Sequence, residues 1–121
     1  MIKNLRDLKV YKESLELSHS AWDIYTELPQ TLKFDIGSQF IRAVDSIGAN
    51  IAEGFGRFHY KDKIKFYYNA RGSLWESKHW IFLLHKRKLI SKEAFDSFMA
   101  KLNNTGKLLN SFIKATGTTN A

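Results

Sequence analysis

Apolar residues recur every three or four positions along most of this 121-residue chain, and a single proline, Pro29, interrupts the pattern. This spacing gathers apolar side chains on one face of an α-helix, whereas a half-buried β-strand would place them at every second position. No stretch shows that alternation. The sequence therefore predicts an all-α fold, with a first helix that ends at Pro29 because the proline ring cannot continue the hydrogen-bond ladder.

The apolar pattern divides into four segments of similar length. We expect helices over residues 8–28, 34–56, 61–88 and 91–114. Four such helices with short connections make antiparallel neighbours, which predicts an up-down four-helix bundle. The bundle domain is expected to span residues 1–115, and the small, polar residues 116–121 are expected to form a flexible C-terminal tail.

Composition narrows the class of protein. The chain is 44% hydrophobic and 26% charged, as in a globular domain, and its lack of cysteine excludes disulfides and thiolate metal sites. No signal-peptide core follows the charged first residues, and no apolar run is long enough to cross a bilayer. We therefore expect a cytoplasmic protein that makes no contact with a membrane.

The first and third helices carry more apolar side chains than one bundle core needs. Trp22, Trp75 and Trp80 cannot all point at a single bundle axis. Apolar surface beyond the core is typical of protein–protein interfaces, although scattered aromatic residues on a surface are also normal. We favour the first interpretation and expect the chain to associate with itself.

Five polar residues of the second helix recur at spacings of three and four, so they share one strip beside the apolar stripe. They are Arg42, Ser46, Asn50, Glu53 and Arg57. Half-buried polar groups need hydrogen-bond partners, which favours a structural network, and as a hypothesis we pair Arg42 with Glu76 of the third helix. The alternative makes Asn50 and Glu53 a binding or catalytic pair. Gly54 predicts close contact between this helix and a neighbour.

Catalytic and metal-binding patterns are weak in this sequence. Two Glu-x-x-His pairs, at residues 16–19 and 76–79, match half of a di-iron bundle motif. However, the first pair lies on the polar side of its helix, and the middle of the fourth helix offers Lys101 in place of a carboxylate. No serine has a base and an orienting acid in a plausible arrangement, and no glycine-rich loop follows a strand. We therefore expect no enzyme activity, no bound metal and no cofactor.

Basic residues are the best functional candidates, because residues 60–90 hold eight lysines and arginines against two acidic residues. The candidates for nucleic-acid binding are Arg57, Lys61, Lys63, Lys65, Arg71, Lys86, Arg87 and Lys88. Phe58, His59 and Tyr60 place aromatic rings among the first of them, and nucleic acids offer phosphates to cations and unpaired bases to flat side chains. The alternative is a solvated charged face without a ligand.

Residues 39–54, QFIRAVDSIGANIAEG, and residues 70–76, ARGSLWE, resemble the four-helix-bundle proteins named for intervening sequences within 23S rRNA genes. The resemblance covers nearly the whole chain and implies a ring-like homo-oligomer, typically a homopentamer. Through the similar accessory proteins of diversity-generating retroelements, it also implies binding to nucleic acid and to a reverse transcriptase. We expect a non-enzymatic scaffold that binds RNA. The alternative is a protein-interaction module that docks a partner such as a reverse transcriptase without touching nucleic acid.

Overall fold

The structure, a computed structural model, describes residues 4–119. Within that range a single 3-10 turn, Leu5–Asp7, precedes four long helices. The helices are α1 (Lys9–Glu27), α2 (Ser38–Phe55), α3 (Tyr60–Lys86) and α4 (Lys92–Thr119). No strand occurs among these described residues, so the prediction of an all-α fold with four long helices is confirmed.

The connection between α1 and α2 differs from the predicted start of α2 at residue 34. A helical turn, Gln30–Leu32, leads into a wider π-type turn, Lys33–Gly37. Within that turn Asp35 has backbone angles φ −115° and ψ −107°, which lie outside the helical region and produce a kink. Because of this kink α2 begins at Ser38.

The other helix ends follow local chemistry. Leu28 is extended, as the residue before a proline usually is. The hydroxyl of Ser91 accepts a hydrogen bond from the backbone N–H of Ala94 at 3.1 Å and so caps α4. The predicted end of α4 at Lys114 is wrong, because the helix continues to Thr119 and includes residues 116–119 of the predicted tail. The last two residues of that predicted tail, 120–121, lie outside the described residues.

Consecutive helices are antiparallel. The start of α3 contacts the end of α2, where the Lys63 ammonium donates to the carbonyl of Phe55. An early α3 residue, Tyr67, packs against a late α4 residue, Phe112, with ring centroids 4.7 Å apart. Both α1 and α3 pack against α2 and against α4. The helices α1 and α3 therefore occupy diagonally opposite corners of the bundle.

The core runs along the whole bundle and receives side chains from all four helices. Its buried members include Leu17, Ala21, Phe40, Val44, Ile47, Ile51, Leu74, Ile81, Phe98, Leu102 and Leu109. Phe40 and Phe98 meet edge to face, with ring centroids 5.3 Å apart. Full burial of each large apolar side chain contributes about 1.5–3 kcal/mol to the free energy of folding. The core therefore stabilises the packed helices and keeps the turns at the two ends of the bundle apart. Among residues 4–119, no helix is both long and apolar enough to cross a membrane.

Candidate nucleic-acid interface

The two halves of the bundle differ in charge. One half, the α2–α3 end, comprises residues 4–18, 47–73 and 106–119 and carries ten Lys/Arg against five Asp/Glu. The other half, the α3–α4 end, comprises residues 19–46 and 74–105 and carries eight against seven. Folding therefore concentrates positive charge at the α2–α3 end, where it favours the approach of polyanions.

Arg57, in the turn after α2, is held by its own neighbours. Its guanidinium lies 2.6 Å from a carboxylate oxygen of Glu53, one turn earlier. It also lies over the ring of Phe66, 4.7 Å from the ring centroid. Both side chains of this ion pair are about half exposed, so the pair contributes little stability, at most about 1 kcal/mol. The contacts nevertheless fix the direction of the guanidinium and leave part of its surface open to solvent.

Lys63 has a structural role that its position in the sequence does not indicate. Its ammonium donates to the carbonyl oxygen of Phe55 at 2.9 Å and to that of Gly54 at 3.4 Å. These carbonyls belong to the last turn of α2, where the helix runs out of backbone N–H donors, although the carbonyl of Gly54 also accepts from the N–H of Arg57 at 3.1 Å. A cation at this position also complements the helix dipole. Lys63 therefore caps α2 and is not a free cation for a ligand.

Of the predicted binding residues in the turn between α2 and α3 and at the start of α3, Lys61 and Lys65 remain available. They are exposed, four residues apart and hence on one face of α3, and no carboxylate among the described residues pairs with either. Phe58, three residues before Lys61 in the chain, is 90% exposed and meets the ring of His59 edge to face, with ring centroids 5.0 Å apart. Two cations next to an open aromatic ring match the needs of a phosphate and an unstacked base.

The second predicted cluster lies at the other end of α3. Lys86, Arg87 and Lys88 are exposed, and the 27 residues of α3 separate them from Lys61 by about 40 Å. Lys88 has φ 60°, the left-handed conformation, and its N–H donates to the carbonyl of His85 at 3.0 Å. This is a Schellman helix end, in which glycine is the usual residue at the left-handed position. One contact surface within a single chain therefore does not include both clusters.

Arg71 belongs to neither cluster. It lies in the middle of α3, where it lines a groove of about 300 Å³ between α3 and α4. Two amide side chains of α4, Asn103 and Asn110, line the same groove, as does Trp75. The structure therefore divides the predicted nucleic-acid residues into an α2–α3 group, an α3–α4 group and a separate arginine.

The polar strip of α2 is a set of short local contacts. The amide of Asn50 donates to the carbonyl of Ser46 at 2.9 Å, and Glu53 pairs with Arg57 as described above. The hypothesis that Arg42 reaches Glu76 is wrong. Both residues are exposed, the ion pairs of residues 4–119 do not include them, and Glu76 accepts a hydrogen bond from the indole of Trp80 at 3.2 Å.

Gly54 permits the close approach of α2 and α3 at this end. A Cβ atom on it would lie 2.6 Å from Cε1 of Tyr67 and 3.0 Å from the carbonyl oxygen of Lys63. The predicted close contact at Gly54 is confirmed. Tyr67 is 2% exposed, and burial raises the pKa of its hydroxyl to about 12. The α2–α3 end therefore sits on tightly packed helices.

The Glu-x-x-His pairs do not converge on a common point. Glu16 and His19 are exposed on α1, and Glu76 and His79 are exposed on α3, the diagonally opposite helix. Within residues 4–119, no group of three or more histidine, aspartate or glutamate side chains is placed to hold a metal ion. This arrangement differs from the inward-facing carboxylates and histidines of di-iron bundles.

Known proteins share this sequence pattern and this architecture. The family model of the 23S rRNA-intervening sequence protein matches residues 6–111. A solved structure of a protein with unknown function from the S23 ribosomal protein family, from Bacteroides thetaiotaomicron, is similar with a TM-score of 0.82 and 31% sequence identity. The match covers 87% of this chain and 95% of that chain. No match was found among the curated proteins.

Proposed function

This chain belongs to the family of 23S rRNA-intervening sequence proteins, and we propose that it is a non-enzymatic, self-assembling scaffold that binds RNA through its α2–α3 end. Binding is electrostatic and largely independent of sequence, because lysines on a helix surface contact phosphates and not base edges. The similar S23-family structure is of a protein with unknown function, so the proposal depends on the surface of this chain alone.

The observation that carries the proposal is the uneven charge of the bundle. The α2–α3 end has ten basic and five acidic residues, whereas the other half is nearly balanced. Within the basic half, Lys61 and Lys65 are exposed and Phe58 presents almost its whole ring to solvent. A solvated surface without a ligand accounts for the cations, whereas the open ring of Phe58 also offers an unpaired base a surface to stack on.

Self-assembly is supported by exposed apolar side chains on two helices. They are Leu15 and Trp22 on α1, and Tyr68, Trp75 and Phe82 on α3. An assembly that covers these side chains repeats the α2–α3 end once per subunit. Repetition converts weak phosphate contacts into high overall affinity, because each further contact forms within one complex.

The proposal is tested by titrating single-stranded RNA into the protein at several salt concentrations. We expect the logarithm of the affinity to fall linearly with the logarithm of the salt concentration, by about 0.7 for each phosphate neutralised on a single strand. Binding that does not change with salt, or no binding at low salt, would show that the α2–α3 end is not an RNA surface.

Two double variants, each removing two positive charges, locate the binding surface. Lys61→Ala with Lys65→Ala changes the α2–α3 end, and Lys86→Ala with Arg87→Ala is the matched control at the other end. We expect the first pair to weaken RNA binding by about tenfold and to reduce the salt dependence, and the second by about threefold or less. Equal effects, or a larger effect of the control pair, would contradict the assignment.

A protein-docking module is the alternative function, and the same titration separates it from the proposal. A chain that assembles but binds no RNA at low salt would use its exposed rings to hold another protein. Phe58 and Phe34, at opposite ends of the bundle, are the most exposed large apolar side chains of the described residues. Their substitution would then reduce partner binding without any dependence on RNA.

A further inference from the structure

The exposed apolar residues of α1 and α3 are arranged in straight stripes. Leu15 and Trp22 are seven residues apart on α1, and Tyr68, Trp75 and Phe82 are seven residues apart on α3; all five side chains are 48–59% exposed. Seven residues are close to two helical turns, so each set forms one line along its helix. Lines with this repeat allow two helices to pack side by side over several turns.

Negative charge lies beside the α1 stripe, and positive charge lines the groove beside the α3 stripe. On α1, Glu16 follows Leu15 and Asp23 follows Trp22, and residues 13–28 contain no lysine or arginine. Both carboxylates are exposed.

On α3, the exposed Glu76 follows Trp75, but on its other side the stripe borders the α3–α4 groove, where the charges are positive. The cations that line the groove are Arg71, Lys78 and Lys107, and no aspartate or glutamate does. The Lys78 ammonium lies 4.3 Å from the centroid of the Trp75 ring. Arg71 and Lys78 are seven residues apart, as Glu16 and Asp23 are, so the two surfaces match in repeat as well as in charge.

We propose that the Leu15–Trp22 stripe of one copy docks into the α3–α4 groove of the next copy, with Glu16 and Asp23 facing Arg71 and Lys78. This proposal rests on the self-assembly in the proposed function and assigns its two surfaces. Because α1 and α3 lie at diagonally opposite corners, the two surfaces face away from each other on one subunit. Such a contact is heterologous, and it generates a closed ring or an open chain of subunits.

Two features favour a second copy over RNA as the occupant of the groove. An RNA strand in the groove would leave Leu15 and Trp22 uncovered on the far side of the same subunit. A second copy covers both stripes at once and neutralises the carboxylates of α1 against the cations of α3. Arg71 then acts in assembly, and the RNA surface at the α2–α3 end does not extend into the groove.

The test uses two variants that each block one of the two surfaces. Trp22→Glu removes the α1 stripe and keeps the groove, whereas Trp75→Glu removes the groove surface and keeps the α1 stripe. Sedimentation velocity is measured for each variant alone and for an equimolar mixture, with circular dichroism to confirm folding. Phe34→Glu is the control, because Phe34 is 82% exposed but lies outside both stripes.

We expect each variant alone to be monomeric and the mixture to form a one-to-one dimer that grows no further, since only one intact contact can form. The control should keep the wild-type mass. Dimers of either variant alone would indicate a symmetric contact and overturn the proposal, as would wild-type mass in both variants or a mixture that stays monomeric. If Trp75→Glu keeps the wild-type mass but loses RNA binding, the groove is an RNA site.

These results are separable from the RNA titration. A wild-type chain that assembles through other surfaces contradicts only the assignment of the stripes. A wild-type chain that is monomeric overturns the assignment and self-assembly together, while salt-dependent RNA binding would still stand.

Discussion

The two ends of the bundle use basic residues in different ways. At the α2–α3 end, Arg57 is held by Glu53 and Phe66, and Lys63 caps the carbonyls of α2, so two of the predicted binding residues already have protein partners. At the α3–α4 end, Lys86 and Arg87 project into solvent. Basic side chains therefore make structural contacts at one end and lie in solvent at the other. For this reason the number of basic residues in a turn does not show how many of them are available to a ligand.

The net charge of the two halves favours the α2–α3 end instead. The α3–α4 end is nearly neutral, and one of its lysines, Lys92, lies 2.8 Å from Asp96, whose hydrogen bond and charge raise the pKa of the ammonium. The α2–α3 end has twice as many basic as acidic residues. For a polyanion that spans several residues, the summed field governs encounter more than the freedom of one side chain. This comparison leads us to place RNA at the α2–α3 end.

The largest expected effect concerns the packing that supports the α2–α3 end. Gly54→Ala places a methyl group against the ring of Tyr67 and the backbone of Lys63, so α2 and α3 must separate. We expect a loss of about 3 kcal/mol in the free energy of unfolding, at the upper part of the range for overpacking. Urea denaturation followed by circular dichroism measures it.

Gly72→Ala is the matched control on α3. No heavy atom outside its own helix lies within 4 Å of the added Cβ, so the substitution only improves helix propensity. We expect a gain of about 0.5–1 kcal/mol. If Gly54→Ala were as well tolerated as Gly72→Ala, the α2–α3 end would not be the tightly packed end.

A smaller effect follows from the buried hydroxyl of Tyr67. Its pKa is raised from the model-compound value of 10.0 to about 12 by burial, so the folded state holds the proton more tightly than the unfolded state. Stability from this group is therefore complete below pH 10 and is lost as the pH rises through 12. We expect a loss of about 2 kcal/mol at pH 12 that is absent in Tyr67→Phe.

The two proteins are compared by urea denaturation between pH 9 and pH 12, so that the pH effects common to both proteins cancel. If the free energy of unfolding changed with pH in the same way for both proteins, the ring of Tyr67 would be hydrated and its contact with Gly54 would be looser than described.

The sequence predicts the helices better than the partners of individual side chains. Apolar spacing located four long helices, because that signal is local. The start of α2 was misplaced because Phe34 and Ile36 continue the apolar spacing, whereas the kink at Asp35 lies in the backbone. No local pattern reports such a kink in advance.

Side-chain partners depend on where other helices lie. Lys63 reaches the last turn of α2 only because the turn between α2 and α3 places the start of α3 beside the end of α2. The spacing of Lys63 in the sequence does not indicate this contact. The predicted pairing of Arg42 with Glu76 failed because Glu76 has a partner one turn away on its own helix, Trp80. A partner four residues away on the same helix needs no long-range ordering.

The smallest expected effect concerns the turn at the α3–α4 end. Lys88 adopts φ 60°, where a side chain with a Cβ costs about 1–2 kcal/mol relative to glycine. Lys88→Gly relieves that strain, but glycine also has more conformational freedom to lose on folding, which offsets part of the gain. We expect a net increase of about 1 kcal/mol in the free energy of unfolding, measured by urea denaturation.

Since the substitution of Lys88 by glycine also removes a cation from the α3–α4 end, RNA affinity should fall by about threefold or less. A gain in stability together with a tenfold loss of RNA binding would mean that this strained lysine contacts the ligand, and the preference for the α2–α3 end would have to be reversed.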